Sequence, residues 1–123
     1  MINASLRPLS IGKNEIKNRF IMGSMHTGLE EVPNGFEAMA EYFATRARGE
    51  VGLMITGGVS PNEEGRLWPG AICFNQENEI SKHKIITEAV HEAGGKIAMQ
   101  ILHAGRYGVH DKCVSASAIQ API

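Results

Sequence analysis

Three short apolar runs, "FIMGSM", "VGLMITGG" and "KIAMQIL", alternate with two segments of helical period, and this alternation constrains the fold more than any other feature. Runs this short, rich in branched residues and closed by glycine or small polar residues, read as strands buried on both faces. Between the first and second, Phe36, Met39, Ala40, Phe43 and Ala47 recur at i, i+3, i+4, i+7 and i+11, one apolar stripe on a helix. Asn34 is placed to cap it with Glu37 three residues on, Arg46 and Arg48 suit its last turn, and Gly49 suits the left-handed position beyond. Before the third run, Ile85, Ile86, Ala89, Val90 and Ala93 form a second helical face that Gly94-Gly95 ends. The order is β-α-β-α-β with strands starting near Phe20, Val51 and Lys96, and helical crossovers of this kind build right-handed parallel sheets. Units of this length fit a barrel of eight in about 250 residues. Three strands cannot close such a barrel, so the expected α/β fold is either an open layered sheet or the first part of a TIM (β/α)8 barrel.

The flanks add a hairpin and two loops. "LRPLSIGKNEIKNRF" holds two apolar stretches around Gly12-Lys13-Asn14 and reads as a small hairpin or loop. "VSPNEEGRLWPGAICFNQENE" is loop-like, with a short extended piece expected at "AICF", and the tail after Leu102 has no strong period. A formal net charge of -1 with interspersed signs gives no footprint for nucleic acid or an anionic membrane. Cys73 and Cys113 stand far apart without metal or disulfide spacing, and no apolar segment suits a signal peptide or membrane span. A soluble chain of the reducing cytoplasm is expected.

In parallel α/β folds, ligands gather beyond the carboxyl ends of the strands, where the strand-to-helix loops converge. Here the first run ends in Ser24, Met25, His26 and Thr27, the second in Thr56, Gly57 and Gly58, and the third in Gln100 with His103 beyond. The amino ends carry Lys17, Arg19, Glu50 and Lys96, which are expected to face water. Glycine and serine admit close backbone approach by a flat ligand, and the Gln100 amide both donates and accepts, matching an imide-like edge such as a flavin pyrimidine. The same residues would also serve tight turns or a capped rim with no ligand at all. His26 and His103 could meet in one pocket, while His83 and His91 fall outside the second helix's apolar face. No spacing suits a metal, and dinucleotide, P-loop and nucleophile-elbow motifs are absent. Trp68-Pro69-Gly70 reads as a lid over the site or as a surface aromatic packed on its loop.

"IKNRFIMGSMHTGLEE", "YFATRARGEVGLMITGG", "ITEAVHEAGGKIAMQILHAGRY" and "SASAIQAPI" together resemble, in matching order, the N-terminal part of the flavin-dependent Old Yellow Enzyme family. "GSMHTGLEE" is most similar to its branch of bacterial 2,4-dienoyl-CoA reductases. The resemblance implies that residues 1–123 form part of an FMN-binding TIM barrel, with Ser24, Met25 and His26 against the flavin, Gly58 on its carbonyl edge and Gln100 on its pyrimidine edge. It implies hydride transfer from reduced FMN to the activated alkene of a 2,4-dienoyl-CoA, NADPH as electron source, and a FAD and a 4Fe-4S cluster elsewhere in such an enzyme. The wider family often has Ala-Pro-Met-Thr where this chain has Gly23-Ser24-Met25-His26, and often Trp where Leu102 stands. The first departure leaves open what the His26 side chain does; the second offers room for an acyl chain.

The family keeps its proton donor and remaining flavin contacts in regions that match nothing here, so this chain by itself is expected neither to turn over substrate nor to hold FMN tightly. Two other readings stand beside the dienoyl-CoA reductase. One is another ene-reductase or demethylase of the family; the other is a non-catalytic fragment that oligomerises through its open sheet edge.

Overall fold

The computed structural model describes residues 3–123. A two-stranded antiparallel hairpin, β1 (Leu9–Ile11) and β2 (Asn14–Ile16), turns at Gly12 in the left-handed region (φ 59°), as its glycine suggested. It buries Ile16. The main sheet is parallel with order β3 (Ile21–Met22), β4 (Leu53–Val59) and β5 (Ile97–Ile101). Helix α1 (Gly35–Arg48) crosses from β3 to β4, and α2 (Asn78–Glu92) from β4 to β5.

Both helices pack against each other over β4. Met39, Phe43 and Ala47 of α1 and Ile86 and Val90 of α2 meet Met54 of β4 in one buried cluster, and Phe43 is 2% exposed. Gly95 makes this approach possible. A Cβ there would lie 2.6 Å from the Ala47 Cβ, and Gly94 before it takes the left-handed turn (φ 74°) that the paired glycines predicted. Sequential strand order with consecutive crossovers packed side by side is the barrel-type arrangement rather than a three-layer sheet.

Several local expectations are corrected. The first strand is only two residues long and lies at the sheet edge, with Phe20 and Ile21 about half exposed instead of buried on both faces. Ile101 on β5 is 73% exposed, because β3 and β5 each pair on one side only. Asn34 makes no side-chain cap; it adopts φ 59° and turns the chain corner after Pro33, a conformation Asn tolerates better than most residues. Gly49 has φ -78°, and Glu50 takes the left-handed conformation instead (φ 68°). Its carbonyl is held there by Asn18 Nδ2 at 2.6 Å and its carboxylate by Lys17 at 3.0 Å, so Lys17 and Glu50 pair rather than merely facing water. Asn18, itself buried, also accepts from the Phe20 N–H at 3.0 Å. The extended piece at "AICF" exists as one parallel bridge, Ser60 to Cys73.

The register of β4 and β5 is interrupted near the carboxyl end of β4. Ile55 pairs with Ala98 and Gly58 with Gln100, so β4 spends one more residue than β5 between the two pairs. This is a bulge at Thr56-Gly57. The Thr56 Oγ1 mends the ladder, accepting from the Gln100 N–H at 3.1 Å and donating to the Gly57 carbonyl at 2.8 Å.

His83 lies on the buried side of α2, not outside it. It is 8% exposed, edge-on to Phe36 and Phe74, and its Nε2 has no partner. Its period position is compatible with the Ile86-Val90 face, and two aromatic neighbours supply the burial. Desolvation, opposed by Glu79, holds its pKa below the usual 6.5.

Two predictions follow from these contacts. Thr56→Val leaves the Gln100 N–H without an acceptor and is expected to cost about 1–3 kcal/mol, with faster amide exchange at Gln100 than at Met54. Below the usual histidine value the unfolded chain takes up a proton that folded His83 resists, so stability is retained above it and falls as pH drops through it. The thermal midpoint should therefore fall between about pH 8 and about pH 5.5, and fall less in His83→Leu.

Candidate functional site

After Met22 the chain leaves the sheet, and Gly23 to Gly28 cross the carboxyl ends of the strands as irregular backbone. The Ser24 Oγ donates to the Gln100 Oε1 at 2.6 Å. Since the Gln100 N–H donates to Thr56, one short chain of hydrogen bonds ties the ends of β3, β4 and β5 together. Gly58 is the register partner of Gln100 and is buried. A Cβ on it would collide with the Leu102 side chain, which explains the glycine without invoking a ligand. Three of the five expected site residues, Ser24, Gly58 and Gln100, thus come together directly.

Met25 and His26 are brought alongside by Gly57. A Cβ at Gly57 would lie 2.7 Å from the Met25 carbonyl oxygen and 3.3 Å from the His26 Nδ1, so the bulge must carry glycine for this segment to pass. Met25 is half exposed, and its Sδ accepts from the Tyr42 hydroxyl at 3.4 Å. The His26 ring stands edge-to-face with Trp68, centroids 5.0 Å apart. Its Nδ1 is 3.4 Å from the Glu30 Oε1. Trp68 therefore packs at the margin of the site, on His26. His103 makes separate contacts, its Nδ1 accepting from the Gly105 N–H at 3.1 Å and its ring lying against Gly65.

Strand-end reasoning passed over Glu30, left Trp68 undecided, and named Thr56 at the end of the second strand without giving it a role. Thr56 had a signal in its position beside Gly57-Gly58. Glu30 had only its i, i+4 spacing from His26, which suggests contact only once the short 3-10 turn Leu29–Glu31 is known.

What the cluster offers is an open surface. A cavity of about 20 Å³ lies among Met25, Glu30, Gly57, Gly58 and His83, room for about one water. A cavity of that size gives a flat ring of flavin size no enclosed slot. The donors fit such a ring. Among the described residues, Ser24, Met25 and His26 donate no N–H to any loop hydrogen bond, and the Gln100 Nε2 has no protein partner. Backbone donors and an amide beside a small hydroxyl suit the nitrogens and carbonyls of a flavin ring. Among the described residues no group of three or more His, Cys, Asp or Glu gathers as a metal site, and no helix is long and apolar enough to cross a membrane.

The chain is similar to known flavin oxidoreductases. Residues 6–123 match the profile of the NADH:flavin oxidoreductase / NADH oxidase family. An NADPH dehydrogenase of Bacillus subtilis is 33% identical over 102 residues, which cover 80% of this chain and 30% of that protein. The structure of the old yellow enzyme from Trypanosoma cruzi superposes with a TM-score of 0.80 at 28% identity, covering 95% of this chain and 35% of that one. A 2-naphthoyl-CoA reductase in complex with 2-naphthoyl-CoA superposes with a TM-score of 0.78 at 25% identity, covering 88% of this chain and 17% of that one. The chain spans only 19% and 15% of the length of two other curated relatives. The three-stranded sheet thus resembles the N-terminal part of Old Yellow Enzyme-type TIM barrels, and the family supports FMN binding. With the match running through nearly every described residue, this chain belongs to the NADH:flavin oxidoreductase / NADH oxidase family.

Proposed function

We propose that residues 1–123 are part of the FMN-binding barrel of a reductase that uses NADPH to reduce the activated alkene of a 2,4-dienoyl-CoA. The observation that carries the reading is the Ser24-Gln100-Thr56 chain of hydrogen bonds, which presents an amide and free backbone donors at the carboxyl ends of three parallel strands. Family membership supports the flavin, and the nicotinamide donor is supported by the NADPH dehydrogenase relative. An acyl-CoA substrate is supported by the CoA ester held by one structural neighbour and by Leu102, smaller than the tryptophan common there in the wider family. FAD and a 4Fe-4S cluster belong to this reading only through the resemblance of "GSMHTGLEE" to the dienoyl-CoA branch.

In this reading the residues divide the work. Gln100 binds the pyrimidine edge of the ring, donating through Nε2, while Ser24 fixes the amide by donating to Oε1. Gly57 and Gly58 keep side chains away from the strand ends, and the backbone of Ser24, Met25 and His26 supplies donors near the reactive nitrogen. Bound FMN supplies the hydride chemistry, and the protein orients it. The open surface gives FMN a face but no enclosure, so binding by these residues alone is weak.

Weak binding is still measurable residue by residue. Addition of FMN to the isotope-labelled chain is expected to shift the amide resonances of Ser24, Met25, His26, Gly58 and Gln100, with the Leu9–Ile16 hairpin unchanged. Gln100→Leu should weaken the response by about tenfold, the loss of about one hydrogen bond to the ring. Shifts confined to the hairpin or helices, or none at millimolar FMN, would overturn the flavin site. In the whole flavoprotein, NADPH consumption should be faster with a 2,4-dienoyl-CoA than with a cyclic enone by at least about tenfold in kcat/KM. The reverse preference would support an ene-reductase of other specificity.

A further inference from the structure

His26 stands in a small frame whose third side is charged. Gly57 backs its Nδ1, where even a Cβ would lie within 3.3 Å, and Trp68 meets the ring edge-to-face at 5.0 Å between centroids. Glu30 closes the frame with its Oε1 3.4 Å from Nδ1. The Glu30 side chain is only 6% exposed. Its Oε2 accepts from the Thr27 hydroxyl at 3.1 Å, and that hydroxyl in turn accepts from the Leu29 N–H at 3.3 Å. The carboxylate is therefore held in place by the turn that follows His26, with Oε1 bound by no hydroxyl and 3.4 Å from the ring nitrogen.

We infer that Glu30 is a positioning residue for His26: it orients the ring so that the Nδ1 proton faces the carboxylate and Nε2 is left as an acceptor. A carboxylate withdrawn from water needs donors, and a hydroxyl supplies one for Oε2 but none for Oε1. The nearby ring nitrogen meets that need only when it carries a proton. Which nitrogen of a histidine is protonated is set by the partner of the other, and a buried carboxylate beside Nδ1 is the usual arrangement for exposing a bare Nε2. The inference rests on the proposed flavin site in one respect: there Nε2 becomes an acceptor for a donor on the ring or substrate. The threonine common at this position in the family offers a hydroxyl, and this chain offers instead an oriented ring nitrogen.

The test reads the ring itself, without flavin. Imidazole nitrogen and carbon resonances of the histidine-labelled chain at neutral or higher pH distinguish the two neutral tautomers. In the wild type, His26 should be mainly the Nδ1–H form. Glu30→Leu should convert it mainly to the Nε2–H form, while Glu30→Gln, which keeps an acceptor oxygen at nearly the same volume, should leave an intermediate mixture. An Nε2–H tautomer in the wild type overturns the inference whatever the variants do, as does a tautomer that neither variant changes. FMN titration, followed by the fluorescence of Trp68, the single tryptophan, separates this result from the flavin reading. Loss of FMN response with the Nδ1–H tautomer intact would sink the flavin site and leave Glu30 as the positioning residue. FMN binding with the opposite tautomer would do the reverse.

Discussion

One surplus residue in β4 sets the geometry of the strand ends. A regular ladder from Ile55 to Val59 would alternate its side chains without interruption, and the Gln100 N–H would bond to backbone. The bulge at Thr56-Gly57 breaks that alternation and turns the threonine hydroxyl into the acceptor for Gln100. It also puts glycine where the segment after β3 must pass, under the Met25 carbonyl and the His26 ring. The Ser24-Gln100 hydrogen bond and the frame around His26 both depend on this irregularity.

The two ends of the sheet are built by different means. At the amino end, Asn18 is buried and spends both halves of its amide on backbone, bonding the Glu50 carbonyl and the Phe20 N–H, while a Cβ at Gly52 would clash with it. This is a closed joint. At the carboxyl end, the polar groups are only partly paired with one another, and the spare donors of Gln100 and of the Ser24–His26 backbone face outward. Burying the amino-end amide costs little because both of its groups are satisfied; leaving the other end unsatisfied is tolerable because it is exposed. The asymmetry matches the general division of parallel α/β folds, in which ligands gather at the carboxyl ends of the strands.

Much of this was readable from residue order. The hairpin at Gly12, the two helical stripes, the paired glycines after α2 and strand starts expected near Phe20, Val51 and Lys96, which fall at Ile21, Leu53 and Ile97, all follow from period and breakers, which are local properties. That Ser24, Gly58 and Gln100 lie close together followed from asking what stands at each strand end. His83 was misplaced because a histidine carries no apolar signal, and its burial depends on Phe36 of α1 and Phe74 of a loop arriving from elsewhere. Asn34 and Gly49 were misread for a related reason, the left-handed turn falling on Glu50 instead of Gly49. Their backbone conformations are imposed by how the chain enters and leaves α1, not by their own preferences.

By itself the sequence determined the β-α-β-α-β order, the parallel sheet and the side on which polar chemistry collects, since hydrophobic period and crossover handedness act within each unit. The tertiary structure alone decided the β4 bulge, the Thr56 link to Gln100 and the meeting of Glu30 and Trp68 on His26. Those contacts are between segments far apart in the chain or across an irregular turn, and register between strands is a property of the pair that no single strand encodes.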